Sequence, residues 1–352
     1  MSSRYAKQTI LPELGTEGQR RLGAATVLCI GAGGLGCASL PYLAAAGVGH
    51  IVIIDDDRVD LSNLQRQTLF AETDIGQPKA KAAAERLAAM NGDIVVEPLV
   101  SRLDVDNVES LFARADVVID GSDNYATKYL VADASVKFAV PLVYGSATGM
   151  EAMVTVFAPD HGPCLRCLFP EPPTGWMPNC AEAGVLGPLV GMAGCIQAAE
   201  AIKCLVSGPK LESLSGRLWM FDARDMSSRQ MSITHKPDCP LCSQPAATIS
   251  LSGIGNRLIE LVPEDALALG DTLWVDVREA DEFAQGHVDG ALNLPLSKLQ
   301  RGEVKVPRAP AAIIYCQSGM RCQTAAPVLS AAGIETLYSL KGGFEAWSRR
   351  RW

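Results

Sequence analysis

The sequence has no excess of positive charge. Its 31 lysines and arginines are outnumbered by 39 aspartates and glutamates, for a net charge of −8. The deficit divides as −7 over residues 1–250 and −1 from Leu251 onward, where 11 basic residues meet 12 acidic ones. Neither part offers the basic surface that draws nucleic acid or an anionic membrane, so neither is expected as a partner. The opening residues, MSSRYAKQTILPEL, lack the apolar core of a secretory signal. Residues 27–54 carry no charge, but Gly31, Gly33, Gly34, Gly36, Pro41, Gly47 and Gly49 interrupt them. They read as strand, turn, helix and strand rather than as a membrane span. No G-x-x-x-x-G-K-[ST] run exists, which excludes a P-loop, and no internal repeat is visible.

What is present is a long chain with scattered thiols. At 352 residues and 48% hydrophobic content it can build two or three independent cores. Eleven cysteines, an odd number, fit a reducing compartment where thiols serve metals or chemistry, and a cytoplasmic location is expected.

Short β-branched runs at 26–30, 50–54, 94–100 and 116–119 alternate with helical stretches such as 78–91, the pattern of a parallel sheet covered on both faces. Prolines at 170, 172, 173 and 178 make Phe169–Asn179 a loop, expected to be mobile. A Pro-, Cys- and Ser-rich break at 236–252 precedes a second α/β pattern with strands near 272–275 and 311–315. The expected fold is α/β, a Rossmann-like domain over 1–243, a linker at 244–254 and a small α/β domain over 255–352.

The first strand runs into Gly31-Ala-Gly33-Gly34-Leu-Gly36, and Asp55 follows at the end of the next strand. Amides of such a turn face phosphate and the carboxylate takes ribose hydroxyls, although the motif alone fits NAD, FAD, S-adenosylmethionine or ATP. The neighbouring segments are more specific: Asp55-Asp-Asp57-Arg-Val-Asp-Leu-Ser-Asn63-Leu-Gln-Arg66-Gln67, then Gly-Gln-Pro-Lys79, then Asp120-Gly-Ser-Asp123-Asn124. Over residues 4–242 the chain resembles the ubiquitin-activating-type adenylating enzymes of the MoeB/ThiF family, which activate ubiquitin-like sulfur carriers ending in Gly-Gly. The resemblance implies ATP, with Asp55 on ribose, Asn63, Arg66 and Lys79 on the triphosphate and Asp123 on magnesium. It counts Asp57, Gln67 and Asn124 among the nucleotide-binding residues. Fixed cations suit this chemistry because charge gathers on phosphate as pyrophosphate leaves. The family often inserts an arginine from R-Y-x-R-Q into a partner subunit's site, implying a homodimer. Here the segment reads Arg4-Tyr5-Ala6-Lys7-Gln8, so Lys7 or Arg4 takes that role.

Cys164-x-x-Cys167 and Cys239-x-x-Cys242 are two half-sites for a closed tetrahedral zinc, or else two redox dithiols. Similar pairs form a zinc site in the resembled family. Cys180 ends the proline-rich segment, where related enzymes carry a crossover-loop cysteine able to form a thioester or acyl disulfide with the carrier. Cys29, Cys37, Cys195 and Cys204 lie in apolar or Gly/Ala stretches and read as core fillers.

The second domain carries WVDVREADEF, GHVDGALNLP, YCQSGMR and KGGFEAW, and resembles a rhodanese domain throughout. Cys316 should end a strand and open a loop, Cys316-Gln317-Ser318-Gly319-Met320-Arg321, leading to a helix around 323–332. Helix amides and Arg321 would favour a thiolate there. Phosphatases of this fold use Cys-x5-Arg; the Cys-x4-Arg here resembles sulfurtransferases that hold a persulfide. Cys322 is either inert or a resolving thiol, and His287 reads as structural.

The two halves together make an adenylyltransferase and sulfurtransferase for a MoaD- or ThiS-like carrier. The expected pathway is molybdenum cofactor synthesis, with thiamine, cysteine or another thiolated product as alternatives. The sulfur comes from a cysteine desulfurase or thiosulfate. A nicotinamide- or flavin-dependent persulfide oxidoreductase would need a second dinucleotide fingerprint and gives SNLQRQ no role. A non-catalytic zinc scaffold would have no need of Arg66, Lys79, Asp123 and Cys316 together.

Overall fold

A computed structural model describes residues 3–158, 162–171, 184–206, 208, 211–251, 258–270 and 272–349. They form two compact units, one within residues 3–251 and one within 258–349. The proline-rich segment from 172 onward, and Cys180 with it, lies outside the described residues.

The first unit is built on an eight-stranded sheet. Strands β1 (Thr26–Ile30), β2 (His50–Ile54), β3 (Val95–Leu99), β4 (Val117–Asp120), β5 (Leu142–Thr148), β6 (Glu151–Phe157), β7 (Arg217–Asp222) and β8 (Ser227–Ser232) lie in the order β3-β2-β1-β4-β5-β6-β7-β8. The first five are parallel. Strands TVLCI and HIVII are buried beyond their first residues, as expected of strands covered on both faces. Covering helices include Gly34–Ala46, Lys79–Met90, Tyr125–Phe138 and Gly187–Val206.

The sheet departs from the all-parallel expectation at β5. Gly149 takes φ +59 at a tight turn, and β6, β7 and β8 continue antiparallel. An antiparallel edge can face water, and every residue of β8, SSRQMS, is exposed. Helix Gly187–Val206 is long and apolar enough to cross a bilayer, but half of its apolar window is buried and it packs on β4, β5, β6 and helix Gly34–Ala46. It is a core helix.

The order reverses direction at β1, whose neighbours β2 and β4 connect outward on opposite sides. Ligands of doubly wound sheets bind at this switch point, beyond the strands' carboxyl ends. The loops after β1, β2 and β4 there carry Gly31–Gly36, Asp55–Asp57 and Gly121–Asp123.

The linker expectation needs revision. Gln244 donates to Pro240 O at 2.6 Å, residues 246–248 form a 3-10 turn, and Ile249 is buried beside Cys164, Cys167 and Cys239. Lys137 Nζ donates to Ile249 O at 2.6 Å. Residues 244–251 therefore pack on the first unit.

The second unit is a five-stranded parallel sheet of β9 (Ile259–Leu261), β10 (Leu273–Asp276), β11 (Leu292–Asn293), β12 (Ala309–Tyr315) and β13 (Ile334–Leu340), ordered β11-β10-β12-β13-β9. Central β12 ends at the residue before Cys316. The helix that follows spans Met320–Ala331, starting three residues earlier than expected because Gly319, at φ +99, makes the turn into it.

One buried charge pair orders the switch point. Asp120 Oδ1 accepts the Ser122 N–H and hydroxyl, at 2.9 and 2.5 Å, while Oδ2 accepts Lys128 Nζ at 2.8 Å. Lys128 also donates to Gly145 O at 2.8 Å and lies 4.7 Å over the Tyr144 ring. Burial works against the ammonium, but the Asp120 carboxylate wins and raises its pKa. Breaking such a pair from one side leaves an unmatched charge. Lys128→Met should therefore cost about 3–5 kcal/mol in denaturant unfolding, and Lys128→Arg should recover part of it.

Candidate functional site

The nucleotide cradle forms because three backbone segments meet. Gly31 takes φ +89, and a Cβ there would sit 3.1 Å from Gly121 O; a Cβ on Gly36 would strike Gly31 O. The helix Gly34–Ala46 can thus start directly behind the turn, and its first amides face the crevice. Asp55 closes the turn from below, accepting the Ala32 N–H at 2.7 Å and the Asp57 N–H at 2.8 Å. Burial lifts its pKa to about 6, with nearby Lys79 pulling the other way.

Lys79 is 5% exposed, at the start of its helix. Its ammonium meets Asp57 Oδ2 at 2.8 Å, and the Asp57 and Asp55 charges keep its pKa high against burial. Asp123 is exposed on the adjoining loop, and its charge is felt by both Lys79 and Lys128. The Arg66 stem lies near Gly34, its Nη1 donating to Ser62 O at 3.2 Å. The Gln67 amide reaches the Gly33 position, and its buried Oε1 has no partner among the described residues. Asn63 is half-buried in the same turn, while Asn124 Oδ1 caps helix Tyr125–Phe138 by accepting the Thr127 N–H at 2.9 Å. A cleft lined by Asp123, Lys128, Ser146, Thr148, Leu35 and Val190 opens beside Asp123. Sequence reasoning missed Lys128, whose partners Asp120 and Gly145 become neighbours only in the fold.

The four paired cysteines converge. Their sulfurs lie within 4.8 Å of one another, with Cys164–Cys167 at 3.9 Å, Cys164–Cys239 at 3.5 Å and Cys167–Cys242 at 3.4 Å. A tetrahedral zinc with Zn–S bonds of about 2.3 Å would place sulfurs about 3.8 Å apart. Burial and neighbouring thiols push the Cys242 pKa up to about 12. The residues fit a closed structural zinc. Cys29 and Cys37 are buried, as expected, whereas Cys195 and Cys204 are only partly so.

The other sulfur centre lies wholly in the second unit. Cys316 is buried, and its Sγ accepts the Gly319 N–H at 3.1 Å and the Arg321 N–H at 3.3 Å. The loop's own carbonyls are held from behind: Phe344 N–H donates to Cys316 O at 2.8 Å and Glu345 N–H to Gln317 O at 3.0 Å. A side chain at Gly343 would collide with both carbonyls, which accounts for the second glycine of KGGF. The neighbouring Cys322 thiol, loop amides and the Arg321 charge hold the Cys316 pKa down to about 6 against burial. Arg321 adds its charge in favour of the thiolate, as expected, while its two terminal nitrogens bind Glu282 at 2.6 and 2.7 Å. Arg278, also missed in the sequence, donates to Asp276 and to Gln317 Oε1. His287 stacks on Phe283, with Nδ1 3.0 Å from Phe283 O.

The fold and these centres define a nucleotide-binding α/β domain of the adenylating class, in one chain with a thiolate-loop sulfurtransferase domain. The ThiF family model matches residues 5–241 and the rhodanese-like domain model residues 263–350; the chain belongs to the ThiF family and carries a C-terminal rhodanese-like domain. It is 40% identical to the probable adenylyltransferase/sulfurtransferase MoeZ of Mycobacterium tuberculosis, covering 99% of this chain and 93% of that protein. It is 47% identical to the SAMP-activating enzyme E1 of Haloferax volcanii, over 68% of this chain and 88% of that one. The E. coli MccB structure with ATP shares the fold at a TM-score of 0.60 and 21% identity, covering 69% of this chain and 75% of that one. The chain is an adenylyltransferase and sulfurtransferase.

Elemental analysis should find one zinc per chain, and Cys239→Ser should lose it with a fall in melting temperature. A metal-free protein that melts unchanged would contradict the site. Iodoacetamide should alkylate Cys316 with a midpoint below the ordinary thiol value of about 8.5, and Cys322→Ala should move that midpoint upward.

Proposed function

We propose that the chain activates the C-terminal glycine of a ubiquitin-like sulfur carrier ending in Gly-Gly and converts it to a thiocarboxylate, for molybdenum cofactor synthesis. The observation that carries this reading is the presence in one chain of the Gly31–Gly36 turn, with Lys79, Arg66 and Asp123 on the segments beside it, and a Cys316 loop whose amides donate to the sulfur. The names of the MoeZ and SAMP-activating relatives support it.

In the first step a carboxylate oxygen of the carrier attacks the α-phosphorus of ATP, pyrophosphate leaves and the carrier becomes an acyl adenylate. Lys79, released from Asp57 by the arriving triphosphate, and Arg66 meet the charge on the phosphates. Asp55 takes the ribose. Magnesium, when held by Asp123, adds a further counter-charge on the phosphates. In the second step the terminal sulfur of a Cys316 persulfide attacks the acyl carbon and AMP leaves. Cleavage of the resulting acyl disulfide by a thiol, a step in which we assign Cys180 an assisting role, releases the thiocarboxylate. We assign Lys7 and Arg4 to a partner subunit's site in a homodimer; Lys7 is exposed, while Arg4 Nη1 donates to Met90 O at 3.1 Å. The proposed compartment is the cytoplasm.

Carrier-dependent ATP–pyrophosphate exchange and mass spectrometry of the carrier separate the steps. Asp123→Ala and Lys79→Ala should lose exchange. Cys316→Ala should keep exchange and lose thiocarboxylate. Cys180→Ala should keep exchange, accept sulfur at Cys316 and form thiocarboxylate slowly. Normal thiocarboxylate yield from Cys316→Ala without free sulfide would overturn the mechanism. A panel of carriers decides the pathway, since activity with a thiamine- or cysteine-pathway carrier alone would redirect the product.

A further inference from the structure

The Cys316 loop is surrounded by charges that sulfur transfer does not require. Arg321 Nη1 donates to Glu282 Oε2 at 2.6 Å and Nη2 to Oε1 at 2.7 Å, a bidentate pair with side chains 13% and 30% exposed. Glu282 is itself fixed: Oε2 also accepts the Glu279 N–H at 3.1 Å, in a capping box at the start of helix Ala280–Ala284. The loop's other neighbouring guanidinium, Arg278, is buried on Asp276 at 2.7 Å and donates to Gly286 O at 2.6 Å. Both guanidiniums beside the loop are thus matched by a carboxylate, and the sulfur is served by main-chain dipoles from Gly319 and Arg321.

We propose that Glu282 sets the anion specificity of this loop: by occupying the fork of Arg321 it leaves a site suited to one negative charge, so that sulfur enters as a protonated persulfide in preference to a dianionic oxyanion. The inference rests on the sulfur-transfer reading above and adds the charge class of the donor. With a persulfide, Cys316–S⁻ attacks the terminal sulfur of R–S–SH, the S–S bond of the donor breaks, and Cys316–S–SH and R–S⁻ result. One negative charge is present throughout. With thiosulfate, Cys316–S⁻ attacks the outer sulfur of S–SO₃²⁻ to give Cys316–S–S⁻ and SO₃²⁻, and the loop must hold three. A guanidinium whose fork is already taken by Glu282 offsets the additional two poorly. Glu282 acts through Arg321 and is a positioning residue.

The test compares the full-length protein with Glu282→Gln and Glu282→Asp. Inorganic sulfate should protect Cys316 from iodoacetamide about fivefold or more strongly in Glu282→Gln than in the wild type, since a free fork grips oxyanions. The KM for thiosulfate should fall by a similar factor in that variant, while the KM for cysteine persulfide changes by less than about twofold. Glu282→Asp keeps the charge and should resemble the wild type. Should Glu282→Gln melt far below the wild type, Glu282→Ala replaces it with the same expectations. Equal sulfate protection and equal thiosulfate KM in all forms would overturn the proposal. Failure of the wild type to accept sulfur from either donor would instead sink the sulfurtransferase reading, while the sulfate measurement still decides the role of Glu282.

Discussion

Backbone meets backbone at the junction of β1 and β4, and the first unit is arranged around that contact. Gly31, Gly36 and Gly121 approach so closely that a Cβ on any of them would lie within about 3 Å of a neighbouring carbonyl. Only because these positions lack side chains can the helix Gly34–Ala46 begin behind the turn while the β4 loop lies against it. That contact brings Asp123 to the same crevice as Asp55, Asp57 and Lys79, which come from the loops beyond β2. The buried Asp120–Lys128 pair keeps the β4 loop in place, since Asp120 holds Ser122 with one oxygen and Lys128 with the other. Loss of this pair would be felt first in the placement of Asp123.

Charge at the crevice is stored in pairs that a ligand can rearrange. Lys79 is buried, yet its partner Asp57 is 69% exposed at the side chain. An exposed carboxylate gives little net stabilisation to such a pair, so a polyphosphate can take the ammonium at small cost. Asp120 and Lys128, both buried, form the opposite kind of pair, and their role is to hold geometry. Burial of the partner separates the cation available for chemistry from the one that is structural.

The features legible in the sequence were local ones. The runs at β1 and β2, the glycine turn and its trailing Asp55, the two C-x-x-C half-sites and the Cys316 loop each lie within a few residues, and local spacing carries their chemistry. The antiparallel half of the sheet was not legible, because an exposed edge such as SSRQMS shows no hydrophobic alternation. Nor was the segment 244–251, whose Pro- and Ser-rich composition suggests a linker while Ile249 and the carbonyl taken by Lys137 tie it down. Lys128 and Glu282 were missed for a different reason. Their importance comes from partners such as Gly145 and Arg321, which are distant in sequence and adjacent only once β5 is laid beside β4 and the Cys316 loop is closed.

Both centres use one construction, a parallel strand followed by a turn with a positive-φ glycine and then a helix: Gly31 before Gly34–Ala46, and Gly319 before Met320–Ala331. The construction favours anions in general and does not choose among them. Selection falls to the side chains added around it. Beside the first turn a buried lysine is loosely partnered and an arginine lies near, which suits several phosphate charges. Beside the second, each guanidinium is locked to a carboxylate and main-chain amides donate to the sulfur, which suits one soft charge. The same backbone device therefore stands beside loosely held cations in the first unit and beside locked ones in the second, and the difference lies in whether its cations remain free to move.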